Sequence, residues 1–320
     1  MIDQGFPVRK VLSYVDINAS YYYYIPRQGK RGKRPSQFTY KVNGQRFTNE
    51  KVVKQIQDLL SEEFVDYGYV KVTYYLTDEL GYLINKKKVY RLMKENKLLY
   101  SNRKAKRMSR QWVTELVPKP EAIFENLELD IKYFYIHGQR KNAQQATLLD
   151  VKSRYVLNYV NGWGITKDHI KKMFEIVFET YNRPKSVYVR TDNGSQFISQ
   201  EVQAYIATLD GVYQEYTRPA TPQQNAHIEA LHSIMERSIC RAYFFETMEE
   251  FQCTMKRFIA FYNEKRIHSG IDYMSPLKYI KIKHPEFKLT KKKQIEELTS
   301  SLMQTQLEGL KMSQSVSKIE

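Results

Sequence analysis

Apolar and polar positions recur along this chain with two different periods, and the change of period divides it. From residue 48 the apolar residues Val52, Val53, Ile56, Leu59, Leu60 and Phe64 fall three and four apart, the spacing of a helix with one buried face. Thr48 or Asn49 is placed to cap it. A second helix is expected over 70–80, stopped by Gly81. A third follows Asn85, with Val89, Leu92 and Met93 on one face and Lys86, Lys87, Lys88 and Arg91 beside it. Upstream, residues 11–24 read as a short helix that runs into consecutive tyrosines.

From about residue 123 the texture is that of strands. Residues 124–136, 146–151 and 155–160 are rich in β-forming side chains, with a turn at Lys152-Ser153-Arg154. A helix starting at Thr166 or Asp168 runs to about Tyr181, and Pro184 breaks it. A strand over 186–191, a helix over 199–209, a strand over 212–216 and a long helix from Gln224 follow, with another helix over 248–262. Three strands, then helix, strand, helix, strand, helix, is a mixed α/β layout. The expected divisions are a basic N-terminal arm (1–47), a helix-turn-helix region (48–100), a basic linker (101–122), an α/β body (123–280) and a helical tail (281–320). In that tail Ile295, Leu298 and Leu302 are weakly periodic, which suits self-association.

Charge sharpens this division. Residues 1–119 hold 24 Lys and Arg against 11 Asp and Glu, a net +13 out of +16 for the whole chain of 320 residues. So concentrated an excess ahead of a nearly balanced body suits a polyanion-binding module, with nucleic acid as the leading partner. Helix, glycine turn and basic helix is the arrangement of a helix-turn-helix, whose second helix enters the major groove. A plain helical bundle has the same outline, and the surrounding charge favours the DNA-binding reading. Lys86, Lys87, Lys88 and Arg91 are its DNA-contact candidates, joined by Arg103, Lys104, Lys106 and Arg107 of the linker. The chain has two cysteines, Cys240 and Cys253, which exclude a disulfide scaffold, and no Cys/His group has zinc spacing. The start at Met1-Ile2-Asp3 is unlike a signal peptide, and no apolar run approaches a membrane span. The expectation is a soluble, cytoplasmic and nucleoid-associated protein.

Three separated stretches offer carboxylates in settings suited to two-metal phosphoryl transfer, where shared acidic ligands hold ions roughly 3.5–4 Å apart. Asp130 sits mid-strand between Leu129 and Ile131; Glu128 shares its face and is the alternative ligand. Asp192 lies where a strand stops, before a tight Asn193-Gly194 turn, and ligands of α/β sheets gather at such strand ends. A plain Asx turn has the same sequence. Glu229 falls early in a helix, where the dipole favours an acid. Each carboxylate alone reads as an ordinary surface or turn residue; the weight is in their order and spacing.

Residues 123–280 resemble the integrase-like catalytic core of DDE transposases, a ribonuclease-H-like family. The motifs that carry the likeness are Thr191-Asp192-Asn193-Gly194-Ser195-Gln196-Phe197, Pro222-Gln223-Gln224-Asn225-Ala226 with Glu229, and Tyr262-Asn263 with Arg266, His268 and Pro276. Tyr67-Gly68-Tyr69 through Val89-Tyr90-Arg91-Leu92-Met93 is similar to the helix-turn-helix that precedes this core in second-reading-frame products of bacterial insertion sequences. The resemblance implies a mixed five-stranded sheet with flanking helices. It implies Asp130, Asp192 and Glu229 as a catalytic triad holding two Mg²⁺, with Mn²⁺ as a substitute. It also implies cleavage by water at the element's ends, followed by strand transfer by the freed 3′-hydroxyl.

The partners so implied are DNA, as insertion-sequence terminal repeats and target, and further copies of the chain in a homo-oligomer on paired ends. No zipper or second helix-turn-helix precedes residue 50, so an upstream-frame helix-turn-helix partner or a frameshift fusion is expected as well. Many family members carry Lys or Arg seven positions past the glutamate; here that position is Glu236. Either Arg237 substitutes from a rotated place or the terminal-base contacts differ. Arg266 and His268 are read either as DNA contacts or as packing of the last helix, and His227 as lining the site or lying on a helix surface. The competing functional readings are a DNA-binding regulator with an inactive core and a retroelement integrase; the missing zinc module counts against the second.

Overall fold

The computed structural model describes residues 1–24, 35–100, 119–217 and 222–287. Helices α1 (Val8–Tyr14) and α2 (Ala19–Tyr22) lie in the first stretch. Strands β1 (Phe38–Lys41) and β2 (Arg46–Thr48) then form a hairpin that turns at Gly44, whose φ is +81°. Helix α3 (Asn49–Ser61) is capped by the Thr48 hydroxyl, which accepts from Lys51 N, and buries Val52, Val53, Ile56 and Leu59.

Helix α4 (Tyr69–Tyr74) runs on through one wider turn over Tyr75–Glu79 and stops at Gly81, whose φ of +68° suits glycine. Strand β3 (Tyr82–Leu83) completes a small sheet of order β2-β1-β3. Helix α5 (Lys86–Glu95), capped by Asn85, buries Val89, Leu92 and Met93. Strands are absent from the sequence reading of this region because four, three and two residues give too little period to see.

In the body, β4 (Asn126–Ile136), β5 (Lys141–Asp150) and β6 (Val156–Gly162) form an antiparallel meander, and β7 (Val187–Thr191) and β8 (Val212–Tyr216) run parallel to β4. The order β6-β5-β4-β7-β8 is the mixed five-stranded sheet of a ribonuclease-H-like core. Alternation along β4 sends Leu127 and Leu129 into one hydrophobic cluster with helices α6 (Lys167–Thr180) and α7 (Gln200–Ala207). Phe134 and Ile136, of the other parity, enter a second cluster with α8 (Ala226–Met235) and α9 (Met248–Glu264). A last helix, α10 (Pro276–Lys283), has proline in its first turn and Ser275 as cap.

The second cluster does not end at the body. Val52, Ile56, Leu76, Leu92 and Met93 of the front module belong to the same buried set as Ile228, Leu231, Met255 and Phe258. At the seam Tyr74 stacks on Tyr273 at 3.8 Å and 8°, and Tyr67 donates nothing to Ile267 but accepts its N–H at 3.0 Å. Asp66 takes Arg237 Nε at 3.0 Å and lies 2.6 Å from Arg266 Nη2. Apolar continuity backed by ion pairs makes module and body one packed unit. Among the described residues no helix is long and apolar enough to cross a membrane.

Candidate active site

The parallel register of β4 and β7 builds the site. Leu127 pairs with Val189 and Glu128 with Arg190; Asp130 lies two residues further along β4, and Asp192 directly follows the end of β7 at Thr191. Adjacent strands lie about 4.8 Å apart, so the two residues fall on neighbouring stretches of chain where β7 ends and β4 continues. Asp192 is exposed, and its Oδ1 accepts from Gly194 N at 2.8 Å. A Cβ on residue 194 would fall 2.9 Å from that oxygen, so glycine keeps the turn open beside the carboxylate. The Asx turn and the site are therefore one feature.

Glu128 and Asp130 share a face but not a task. Glu128 is fully buried, takes Ile228 N at 2.7 Å on one oxygen and holds His227 Nδ1 at 2.9 Å on the other. It is spent on pinning the first turn of α8 to β4, where the helix dipole favours a negative charge. His227 thus stands with Glu128 rather than on an open helix surface. Arg190 secures the approach to α8 by donating to Gln224 O at 2.9 Å while pairing with Glu215 at 2.7 Å. Glu229, next after Ile228, is carried by this anchored turn toward Asp130.

Electrostatics tie the acids together. Burial, and then the charges of Asp192, Glu229 and Glu128, push the Asp130 carboxyl up to about 6, against a bond from Ile131 N that favours its ionised form. Burial and the Glu128 charge also raise Glu229. Among the described residues no three His, Cys, Asp or Glu side chains close into a group that could hold a metal ion.

The remaining candidates separate. Lys87 and Lys86 are exposed on α5, Lys86 also lying over the rings of Tyr74 and Tyr273. Lys88 Nζ donates to Phe38 O at 2.6 Å and Arg91 Nη2 to Ser36 O at 3.2 Å, so both brace the hairpin from the same helix. Arg103, Lys104, Lys106 and Arg107 lie outside the described residues. The DNA-contact expectation for Arg266 is corrected: at 1% exposure and beside Asp66 it packs the seam. Arg237 faces Asp66 too, so it does not stand in for a basic residue at position 236.

Glu236 instead pairs at 3.2 Å with Lys132, two residues beyond Asp130 on the same strand face, so a strand lysine brings positive charge to this side of the site. The Tyr262-Asn263 motif is architectural: the Asn263 amide accepts from Val156 N at 2.9 Å and donates to Val156 O at 3.0 Å, clamping α9 to β6. Sequence reasoning missed Arg190, His232 and this clamp, whose polar contacts span distant segments and leave no local period. His232 Nδ1 stands 3.6 Å from Asp130 Oδ2.

The chain is similar to known proteins of one kind. The family described as "Integrase core domain" matches residues 122–222 and, by a second description of the same name, 210–276. An "HTH-like domain" matches 48–107. The chain is 27% identical over 247 residues to a transposase for insertion sequence element IS904 of Lactococcus lactis, covering 72% of this chain and 94% of that one. It is 22% identical over 285 residues to a putative transposase for element IS150 of Escherichia coli, covering 86% and 94%. Among solved structures, the HTLV-2 integrase catalytic core in complex with magnesium aligns at 12% identity with a TM-score of 0.38, over 50% of this chain and 99% of that one.

Proposed function

We propose, from the premise that this chain is an insertion-sequence transposase of the integrase type, that it cuts DNA at the element's ends and joins those ends to target DNA at the Asp130, Asp192 and Glu229 site. The observation that supports this most is that the charges of Asp192, just past the end of the neighbouring parallel strand, and of Glu229, on a helix pinned to β4, both act on Asp130. The donor set is all carboxylate oxygen, which fits hard divalent cations such as Mg²⁺ or Mn²⁺ and not a soft metal. Two such ions, held by the three carboxylates, would activate the attacking oxygen and stabilise the leaving one.

The chain's own residues then have distinct tasks. Glu128, His227 and Arg190 hold α8 at a fixed height over β4, so that Glu229 faces the aspartates. Lys132, anchored by Glu236, offers a cation toward a phosphate at the site. Water first attacks the phosphodiester at the element's end and the P–O3′ bond breaks, leaving a 3′-hydroxyl. That hydroxyl then attacks a target phosphodiester in the same way, with no covalent link to the protein. Helix α5 brings DNA through Lys86 and Lys87, and the partners are terminal repeats, target DNA and further copies of the chain on paired ends. An upstream-frame partner or frameshift fusion and a cytoplasmic, nucleoid-associated setting complete the proposal.

A regulator with an inactive core is the second reading; it draws on the carboxylates not closing into a ligating group among the described residues. The deciding experiment uses labelled DNA carrying the element's ends, Mg²⁺, and wild type against Asp192→Asn. Metal-dependent nicking and joining lost in the variant, with DNA binding kept, establishes the site. Tight binding with no cutting by either protein, even with the upstream partner added, favours the regulator.

A further inference from the structure

Helix α8 presents Glu229 and, three residues on, His232, which therefore lies on the same side of the helix. The His232 ring is largely buried, with Nδ1 3.6 Å from Asp130 Oδ2. Its second nitrogen, Nε2, is buried without any partner. A histidine that merely fills the core has its nitrogens satisfied; this one meets a carboxylate on one side and nothing on the other.

The sheet behind it is polar as well. Thr147 stands across from Asp130 on β5, and the next row across three strands is Lys132, Gln145 and Asn161. Thr147 Oγ1 and the side-chain amide atoms of Gln145 and Asn161 are buried without partners. This wall gives an imidazole a polar floor, where an apolar side chain would do as well for packing α8 and better for desolvation.

We propose that His232 is a positioning residue for the carboxylate site, its Nδ1–H directed at Asp130 Oδ2 while Ile131 N holds Oδ1 at 2.8 Å, so that the two contacts together fix the orientation of the carboxylate. At 3.6 Å the contact is longer than a hydrogen bond, and a small turn of either side chain closes it. The role rests on the reading of the three acids as a divalent-ion site. Outer hydrogen bonds of this kind orient ligating groups, and removing one weakens metal affinity by about 10–100-fold.

The test measures Mn²⁺ binding to the full chain without DNA, from the electron paramagnetic resonance signal of the free ion. Wild type is compared with His232→Leu, His232→Asn, His232→Gln and Asp192→Asn. Asn places its amide nitrogen where Nδ1 lies, whereas Gln reaches toward Nε2. The expected result is Mn²⁺ binding weakened about 10–100-fold in His232→Leu, largely restored in His232→Asn, and not restored in His232→Gln. Binding in His232→Leu as tight as wild type overturns the proposal. So does equal weakening in all three His232 variants together with lowered melting temperatures, which marks a packing role. If wild type shows no binding that depends on Asp192, the ion site itself falls, and His232 loses its task with it.

Discussion

Replacing Asp130 by Asn should make the metal-free protein more stable while abolishing catalysis. In the folded chain the Asp130 carboxyl is pushed from 3.8 to about 6, first by burial and then by its acidic neighbours. The folded state therefore holds this proton more tightly than the unfolded chain does. The stability the group contributes is complete below pH 3.8 and is lost as pH rises through 6. At about 1.36 kcal/mol per pH unit, keeping this carboxylate ionised at neutral pH costs the fold ~3 kcal/mol. The side chain is 25% exposed, so solvent trims that figure rather than removing it. Asn keeps the shape and the acceptor for Ile131 N, and removes the charge. The assay is urea unfolding in EDTA buffer at pH 7.5, 5.5 and 4, for wild type and variant. The variant should be more stable at pH 7.5, with the gap narrowing at 5.5 and closing near 4. A gap absent at pH 7.5, or unchanged at pH 4, would refute the reasoning.

Asp66→Ala leaves Arg266 buried without its carboxylate and should cost about 3–5 kcal/mol; a loss confined to the front module, with the body's unfolding unchanged, would show that the two do not share a core. Glu128→Ala strips Ile228 N and His227 of their acceptor and should cost about 1–3 kcal/mol, with strand transfer falling further than melting temperature; unaltered joining would mean that the α8 anchor is dispensable. DNA affinity should fall with salt at a log–log slope of about −0.9 per phosphate neutralised, and Lys87→Ala should flatten that slope; a salt-insensitive complex would argue against α5 and the basic linker as the DNA-facing parts.

What could be read from the sequence follows the range of the interactions involved. The helices around Val52–Leu59 and Val89–Met93 and the alternation in β4 were visible because each is a local period set by one buried face. The Asp192 turn was visible because Asp-Asn-Gly is a local signal. The choice between Glu128 and Asp130 was not, since two residues on one strand face differ only in what packs over them, and Ile228 N is one hundred residues away. The choice between DNA contact and packing for Arg266 was closed to local reading for the same reason: its carboxylate partner, Asp66, is far away in the sequence.

The hydrophobic cluster that runs unbroken from α3 and α5 into α8 and α9 has a geometric consequence. If α5 lies on the DNA and the carboxylates beside β4 and β7 cut it, as proposed, the interval between the base pairs read and the bond broken is a fixed dimension of the folded protein, like the jaws of a caliper set once. Such a protein finds its cleavage point by length as well as by sequence. Base pairs inserted between the recognised segment and the terminus would then move the cut by the same number, or abolish it when the helical phase carries the scissile bond to the far side of the duplex.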